Sequence, residues 1–371
     1  MNNAKTSNYG KLIAFFLIAS VLVCTVGFAA DGWQATTQPT PDSGNVGDST
    51  DDADENKDGN DEPDEPTVYI PDHVNALTGL ETTPELAMKR PVCFVMSSSS
   101  PLYGISSADV VVEMPTEGGE TRLLAFVTDT KDIGKIGSLS PTRKYISNIA
   151  RYFGAITVAN GTDDSIIYEG CDLASSYFDL TAESGYHYTE YTHFVYTNGA
   201  LIGAGISNAN IGTATNPRHS LPYRFTDFGA ERILGTEIAR SVSIPYSTGN
   251  GTDFYYSDAS GRYTLSKSGT TKVDMLNDAT LSYDNLFVLF ADTVTYESAD
   301  ASQMVMNTVG AGSGYYLTGG TVRTIRYEAS LDGEMIFYDE SGEQLIVNRG
   351  TSYIGFVKSS LKGEVKLSAA Q

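Results

Sequence analysis

Residues 113–127 read EMPTEGGETRLLAFV: three glutamates, two adjacent glycines and one arginine, set between apolar runs. ADVVVEM (108–114) leads in and TRLLAFVTD (121–129) leads out. Both runs are rich in β-branched and apolar side chains and read as strands. Gly118 and Gly119 supply the positive φ of a tight turn. A turn needs no more than that, so Glu117, Glu120 and Arg122 call for a second reason. One reading is an internal clasp, in which Arg122 forks onto a carboxylate of its own chain and pins the hairpin. The other is a polar pocket in which Glu117, Glu120, Arg122 and Arg143 converge, since binding residues concentrate on loops held by a rigid sheet.

Outward from this hairpin the texture stays mixed as far as residue 240. RPVCFVM (90–96) and AITVANG (155–161) read as further strands. TRKYISNIARYFG (142–154) carries Ile146, Ile149, Tyr152 and Phe153 near helical spacing. Residues 200–220 are rich in Gly, Asn and Ala and read as loop. Beyond residue 240, TDFYYSD, GRYTLSK, NLFVLFADTVTYE, SGYYLTGGTVRTIRYE and GEMIFYDESG alternate in β fashion between Gly, Asp and Ser turns, with DESG (339–342) as a hairpin turn. The expected fold class is therefore α+β or α/β. A mixed-sheet N-terminal domain with helices spans 67–240, and a β-rich, largely antiparallel C-terminal domain spans 241–371.

The first 66 residues are of another kind. Lys5 and Lys11 precede the apolar run 12–30, so residues 1–30 read as a signal peptide or membrane anchor with the lysines in the cytoplasm and the rest exported. Cleavage after the small residues near Gly27–Ala29, retention as an anchor, and lipidation at Cys24 remain open; Val23 is larger than the residue that lipidation favours. Residues 31–66 hold twelve acids and one lysine with almost no apolar side chains, and read as an acidic disordered linker. Its spacing does not make a calcium loop.

The chain's formal charge is −22, of which the linker supplies −11. An acidic body repels phosphate backbones, so nucleic acid is excluded as a partner. Of the three cysteines, Cys93 reads as a small core residue and Cys171 as a half-buried one; their pairing cannot be read from sequence.

Several motifs occur in a fixed order: NALTGL (75–80), RPV (90–92), GISSADVVVE (104–113), EGGETR (117–122), Ile136-Gly137 with Arg143 and Tyr145, His193-x-x-Tyr196-Thr197, GAGSGY (310–315), the strand around Arg326, and Gly350-Thr351. Together they resemble the YerB-like lipoproteins of Gram-positive bacteria, two-domain envelope proteins of unassigned function. The likeness covers about residues 73–358, with EGGETR and its ordered neighbours the most specific part. Ser140, Lys144 and Phe194 stand where that family's pattern has arginine, proline and asparagine. The resemblance implies a fold pattern and an envelope location, but no reaction.

Candidate chemistry is sparse. Glu113 with Glu117, or Glu117 with Glu120, are carboxylate pairs of the type used in glycoside hydrolysis. His193 reads either as a hydrogen-bonded structural residue or as a base, and a Cys171 nucleophile would need it. His187 and His193 lack the spacing of a helical metal pair. Tyr186, Tyr188, Tyr191 and Tyr196 form either a packed face or a stacking platform. No phosphate loop, dinucleotide fingerprint or nucleophile elbow is present, and neither a cofactor nor a metal is expected. The expected function is a non-catalytic cell-envelope module. It binds a protein, peptide or glycan of the wall through Glu113, Glu117, Glu120, Arg122, Arg143, Tyr145, His193 and Tyr196. The alternative is a cell-wall hydrolase or transferase using Glu117/Glu120 or His193.

Overall fold

The hairpin forms as its sequence demands. Val110–Pro115 runs antiparallel to Thr121–Val127, in a register that pairs Val110 with Phe126, Met114 with Arg122 and Pro115 with Thr121. The computed structural model describes residues 68–162, 176–216, 218–297 and 302–370. The two expected segments 1–30 and 31–66 lie outside it, as does Cys171 and with it the question of a Cys93 disulfide; Cys93 itself is fully buried.

Among the described residues, this hairpin is the centre of a 14-stranded mixed sheet. Val92–Ser97 adds antiparallel to Thr121–Val127, and Ile136–Leu139, Phe194–Thr197 and Tyr188–Glu190 continue the sheet to that edge. On the other flank Ser352–Lys358 lies parallel to Val110–Pro115, and also parallel to Asn285–Ala291. Gly310–Thr318 and Thr321–Ala329 follow as an antiparallel pair. One sheet thus takes strands from both sides of residue 240. Central strands covered on both faces read as unbroken apolar runs, and Val110, Val111, Val112 and Met114 are all fully buried.

A second, antiparallel sheet is built on Ser241–Ser247, Asn250–Ser257 and Arg262–Lys267. Ser241–Ser247 alternates buried and half-buried residues, the mark of a strand with one dry face. Its Val242 and Ile244, with Phe254 and Leu265, pack on Val111, Leu123 and Tyr353 of the large sheet. The opposite face of that sheet carries the helix Lys144–Tyr152, whose Ile146 and Ile149 join Val112, Leu124 and Phe126. The predicted helix over 142–154 is this one, slightly shorter.

β-structure dominates the fold, in one mixed and one antiparallel main sheet. The helical share expected of the N-terminal part is small: besides Lys144–Tyr152, the α-helices among the described residues are Pro84–Ala87 and Gly199–Asn208. That last helix lies inside the stretch read as loop. Asn198 starts it by accepting from the Leu201 N–H at 2.9 Å, and Ile202 and Ile206 bury one face. Gly205 is there for contact rather than flexibility, since a Cβ would come within 2.4 Å of the Phe178 ring. DESG closes a turn as expected, the Gly342 N–H reaching the Asp339 carbonyl at 3.1 Å.

Candidate functional site

The glycine loop is closed by the Thr116 N–H donating to the Glu120 carbonyl at 2.8 Å. Gly118 and Gly119 take φ of 70° and 79°, in the left-handed region. From the second sheet, the Ser247 hydroxyl and the Asn250 amide both donate to the Gly119 carbonyl at 2.8 Å. The loop is therefore held from two elements, and Glu117 is presented in a fixed place.

Arg143 meets it there. Its Nε donates to Glu117 Oε1 at 3.2 Å and its Nη2 to Oε2 at 3.3 Å, a forked pair, while Nη1 reaches the Thr142 carbonyl at 2.9 Å. Arg143 is also the residue before the helix Lys144–Tyr152, and no side chain caps that helix start. Tyr145 in the first turn donates its hydroxyl to the Pro115 carbonyl at 2.9 Å, locking the helix start to the strand end. Burial, with the Glu117 charge behind it, pushes the Tyr145 phenol above its ordinary value, so it stays a donor.

Arg122 completes the group and differs from Arg143. Its one hydrogen bond among the described residues runs from Nη1 to the Thr121 carbonyl, at 3.3 Å. Its Nε is buried with no partner. Burial and then the nearby positive charge of Arg143 pull its pKa down, while Glu117, Tyr145 and Glu120 oppose the shift. Glu120 itself is exposed at the rim. The expected clasp exists, but Arg143 makes it instead of Arg122, and the Arg122 Nε is left without a partner.

The remaining candidates lie elsewhere. Met114, not Glu113, faces Arg122 across the hairpin, so Glu113 points to the opposite side of the sheet. There it is 1% exposed. It accepts from the hydroxyls of Thr121 (2.5 Å), Thr252 (2.7 Å) and Tyr353, and from the Lys267 ammonium (3.4 Å). Tyr196 lies three strands from Arg122 in the sheet order, roughly 14 Å at the usual strand spacing. Its buried ring and that of Tyr103 flank the Lys135 ammonium at 4.0 and 3.9 Å, a cation–π arrangement closed by Glu190 at 2.8 Å. Tyr188 packs on Tyr196 in the same cluster. His193 is exposed, its ring 4.0 Å from that of Phe194. Sequence reasoning placed Glu113 and His193 with the arginines; it missed Lys267, Thr252 and Tyr353, which no local motif signals.

Residues 77–212 match the family "Protein of unknown function (DUF3048) N-terminal domain", and residues 242–354 match its C-terminal domain. The chain belongs to the DUF3048 family. A relative, "Putative lipoprotein YerB" of Bacillus subtilis (strain 168), is 25% identical over 231 residues, which are 58% of this chain and 66% of that protein, just under two thirds of its length. The crystal structure of the Bacillus subtilis YerB protein superposes with a TM-score of 0.68 at 21% identity, covering 80% of this chain and 99% of that one, so the two share a fold. In this DUF3048 member the arginine group lies within the N-terminal match. The Glu113 network joins both: Glu113 and Thr121 come from the N-terminal region, Thr252, Lys267 and Tyr353 from the C-terminal one.

Proposed function

We propose that this protein is a non-catalytic cell-envelope binding module that takes a carboxylate of a peptide or cell-wall ligand at Arg122. The observation that carries the reading is the buried Nε of Arg122, which has no partner, beside a second arginine already held by Glu117. An unsatisfied guanidinium in a half-buried place is costly, and a carboxylate is the group whose two oxygens match its fork. The uncapped helix start at Arg143 adds positive potential at the same spot. An envelope location is in keeping with the lipoprotein relative and with the exported reading of residues 1–30.

The hydrolase alternative asks for two carboxylates facing one substrate. Here Glu117 is engaged in the fork with Arg143, and Glu113 sits across the sheet under four donors. His193 has no hydrogen bond to its ring among the described residues that would orient it as a base. These placements favour a binder.

Calorimetry with a wall stem peptide, as the free acid and as its C-terminal amide, tests the reading. The acid should bind at least tenfold more tightly than the amide, about 1.4 kcal/mol, and Arg122→Gln should erase that preference. Equal affinity for acid and amide defeats the proposal. Cleavage of wall fragments that disappears in Glu117→Gln would instead establish the enzyme.

A further inference from the structure

A cavity of about 280 Å³ opens between the two sheets, on the face of the large sheet away from the arginines. Its walls include Leu102, Ile105, Val111, Leu123, Leu265 and Leu281, and Glu113, Lys267 and Tyr353 also line it. Ligand pockets for small molecules share this character: apolar walls with a few placed polar groups. Its size corresponds to roughly nine water volumes.

The polar groups set the ligand's chemistry. Glu113 is saturated by three hydroxyls and an ammonium, so its oxygens offer little to a newcomer. Burial, then the Glu113 charge, holds the Tyr353 phenol well above its ordinary range, so that hydroxyl remains a donor to the carboxylate. Lys267 is different. An ammonium has three donors; Glu113 takes one, and no other acceptor is found for it among the described residues. Its side chain is 20% exposed. The Glu113–Lys267 pair is neutral as a unit; Lys272, which also lines the cavity, has no bond to either of them among the described residues. A ligand carboxylate would lie against Glu113 and a ligand ammonium against Lys267, each adding an uncompensated buried charge. A neutral acceptor, such as an amide carbonyl, fits both the charge and the open donors.

The cavity is built rather than adaptable at its rim. Asp274, fully buried, accepts from the N–H groups of Gly104 (2.8 Å), Ser106 (2.8 Å) and Leu276 (2.8 Å) and from the Ser106 hydroxyl (2.6 Å). The Met275 N–H donates to the Leu102 carbonyl at 2.8 Å. These bonds fix the loop that carries Val273 and Met275, two rim residues that are 37% and 51% exposed. Apolar side chains left half in water at the mouth of a pinned cavity are what an incoming aliphatic group would cover.

We infer that the cavity between the sheets is a second ligand site, which takes a small uncharged amphipath: an aliphatic body of about eight carbons carrying one amide carbonyl to Lys267. The site is independent of the anion site proposed at Arg122.

The test is calorimetric titration of the full chain in lipid nanodiscs with octanamide, octanoate and octylammonium, with empty nanodiscs of the same lipid to measure partition. Octanamide should give saturable heat, and each charged analogue should bind at least tenfold more weakly. Val273→Trp, at an exposed position, should abolish binding with the fold intact by circular dichroism. Lys267→Met should weaken it at least tenfold, and Arg122→Gln should leave it unchanged. Octanamide heat no greater than partition, equal binding by Val273→Trp, or octanoate as the tightest of the three overturns the inference.

Discussion

Replacing Glu113 by Gln should cost far more than an isosteric change on a surface, and the cost should depend on Lys267. The Glu113 carboxylate is 1% exposed and takes four donors. Gln keeps the volume but turns one oxygen into an amide nitrogen, which faces donors with donors. Hydrogen bonds to charged groups are worth about 1.5–3 kcal/mol each, and they do not add within one network. Removing one partner of a buried ion pair costs ~3–5 kcal/mol. Because Lys267 is 20% exposed, water relieves part of its charge, which puts Glu113→Gln near the low end, at about 3 kcal/mol. Lys267→Met leaves Glu113 its three hydroxyl donors and adds an apolar side chain to a largely apolar cavity, so about 2 kcal/mol follows.

The double variant separates this account from simple loss of contacts. With both charges gone no buried ion is left unpaired, so the double should cost about 3 kcal/mol instead of the sum near 5, a coupling of ~2 kcal/mol. Urea unfolding followed by far-UV circular dichroism reads all three against the parent chain, provided the slopes agree. Singles within 0.5 kcal/mol of the parent, or a double equal to the sum, would show that the carboxylate is not held by the charge network described.

Other perturbations reach separate parts of the molecule. Gly118→Ala and Gly119→Ala both place a Cβ in the left-handed region, at about 1–2 kcal/mol. Only the Gly119 Cβ also meets Ser247 Oγ, at 2.8 Å, so Gly119→Ala should be the worse of the two by urea midpoint. Asp274→Asn removes half of an acceptor shared by four donors and should destabilise by about 2 kcal/mol, with faster hydrogen exchange at Gly104, Ser106 and Leu276. For His219, burial lowers the pKa below its ordinary 6.5, against the opposing bond to the Tyr152 carbonyl. The folded state thus binds the proton less well than the unfolded one. The stability this group supports is complete above pH 6.5 and is lost as pH falls from there through its depressed folded value. His219→Gln should flatten that part of the stability–pH curve, measured by urea midpoints between pH 7.5 and 5; an unchanged curve would contradict the assigned burial effect.

What could be read from the sequence was what lies close along the chain. Gly118-Gly119 between two strand-like runs signals a hairpin, and only the strand Ile136–Leu139 with a link on either side separates Arg143 from it. The helix Gly199–Asn208 escaped because Gly, Ala and Asn argue for loop by propensity, while Asn198 as a cap and Phe178 against Gly205 decide for helix. The partners of Glu113 escaped for another reason: Thr252, Lys267 and Tyr353 lie 139, 154 and 240 positions away. Their meeting depends on Ser352–Lys358 entering the large sheet beside the hairpin, and parallel pairing of distant strands leaves no local mark.

One separation was nevertheless implicit in the quoted stretch. In an antiparallel hairpin, directly opposed residues share a face and each neighbour along a strand takes the other. A loop that pairs Pro115 with Thr121 also pairs Met114 with Arg122, and so sends Glu113 through the sheet from Arg122. The three glutamates of EMPTEGGETR were therefore never one acidic cluster. Glu117 holds an arginine on the helix-covered face, Glu120 stands in solvent, and Glu113 anchors the seam between the two sheets. With the sheet between them, Arg122 and Lys267 lie on different faces, so the two proposed sites predict ligands that do not compete.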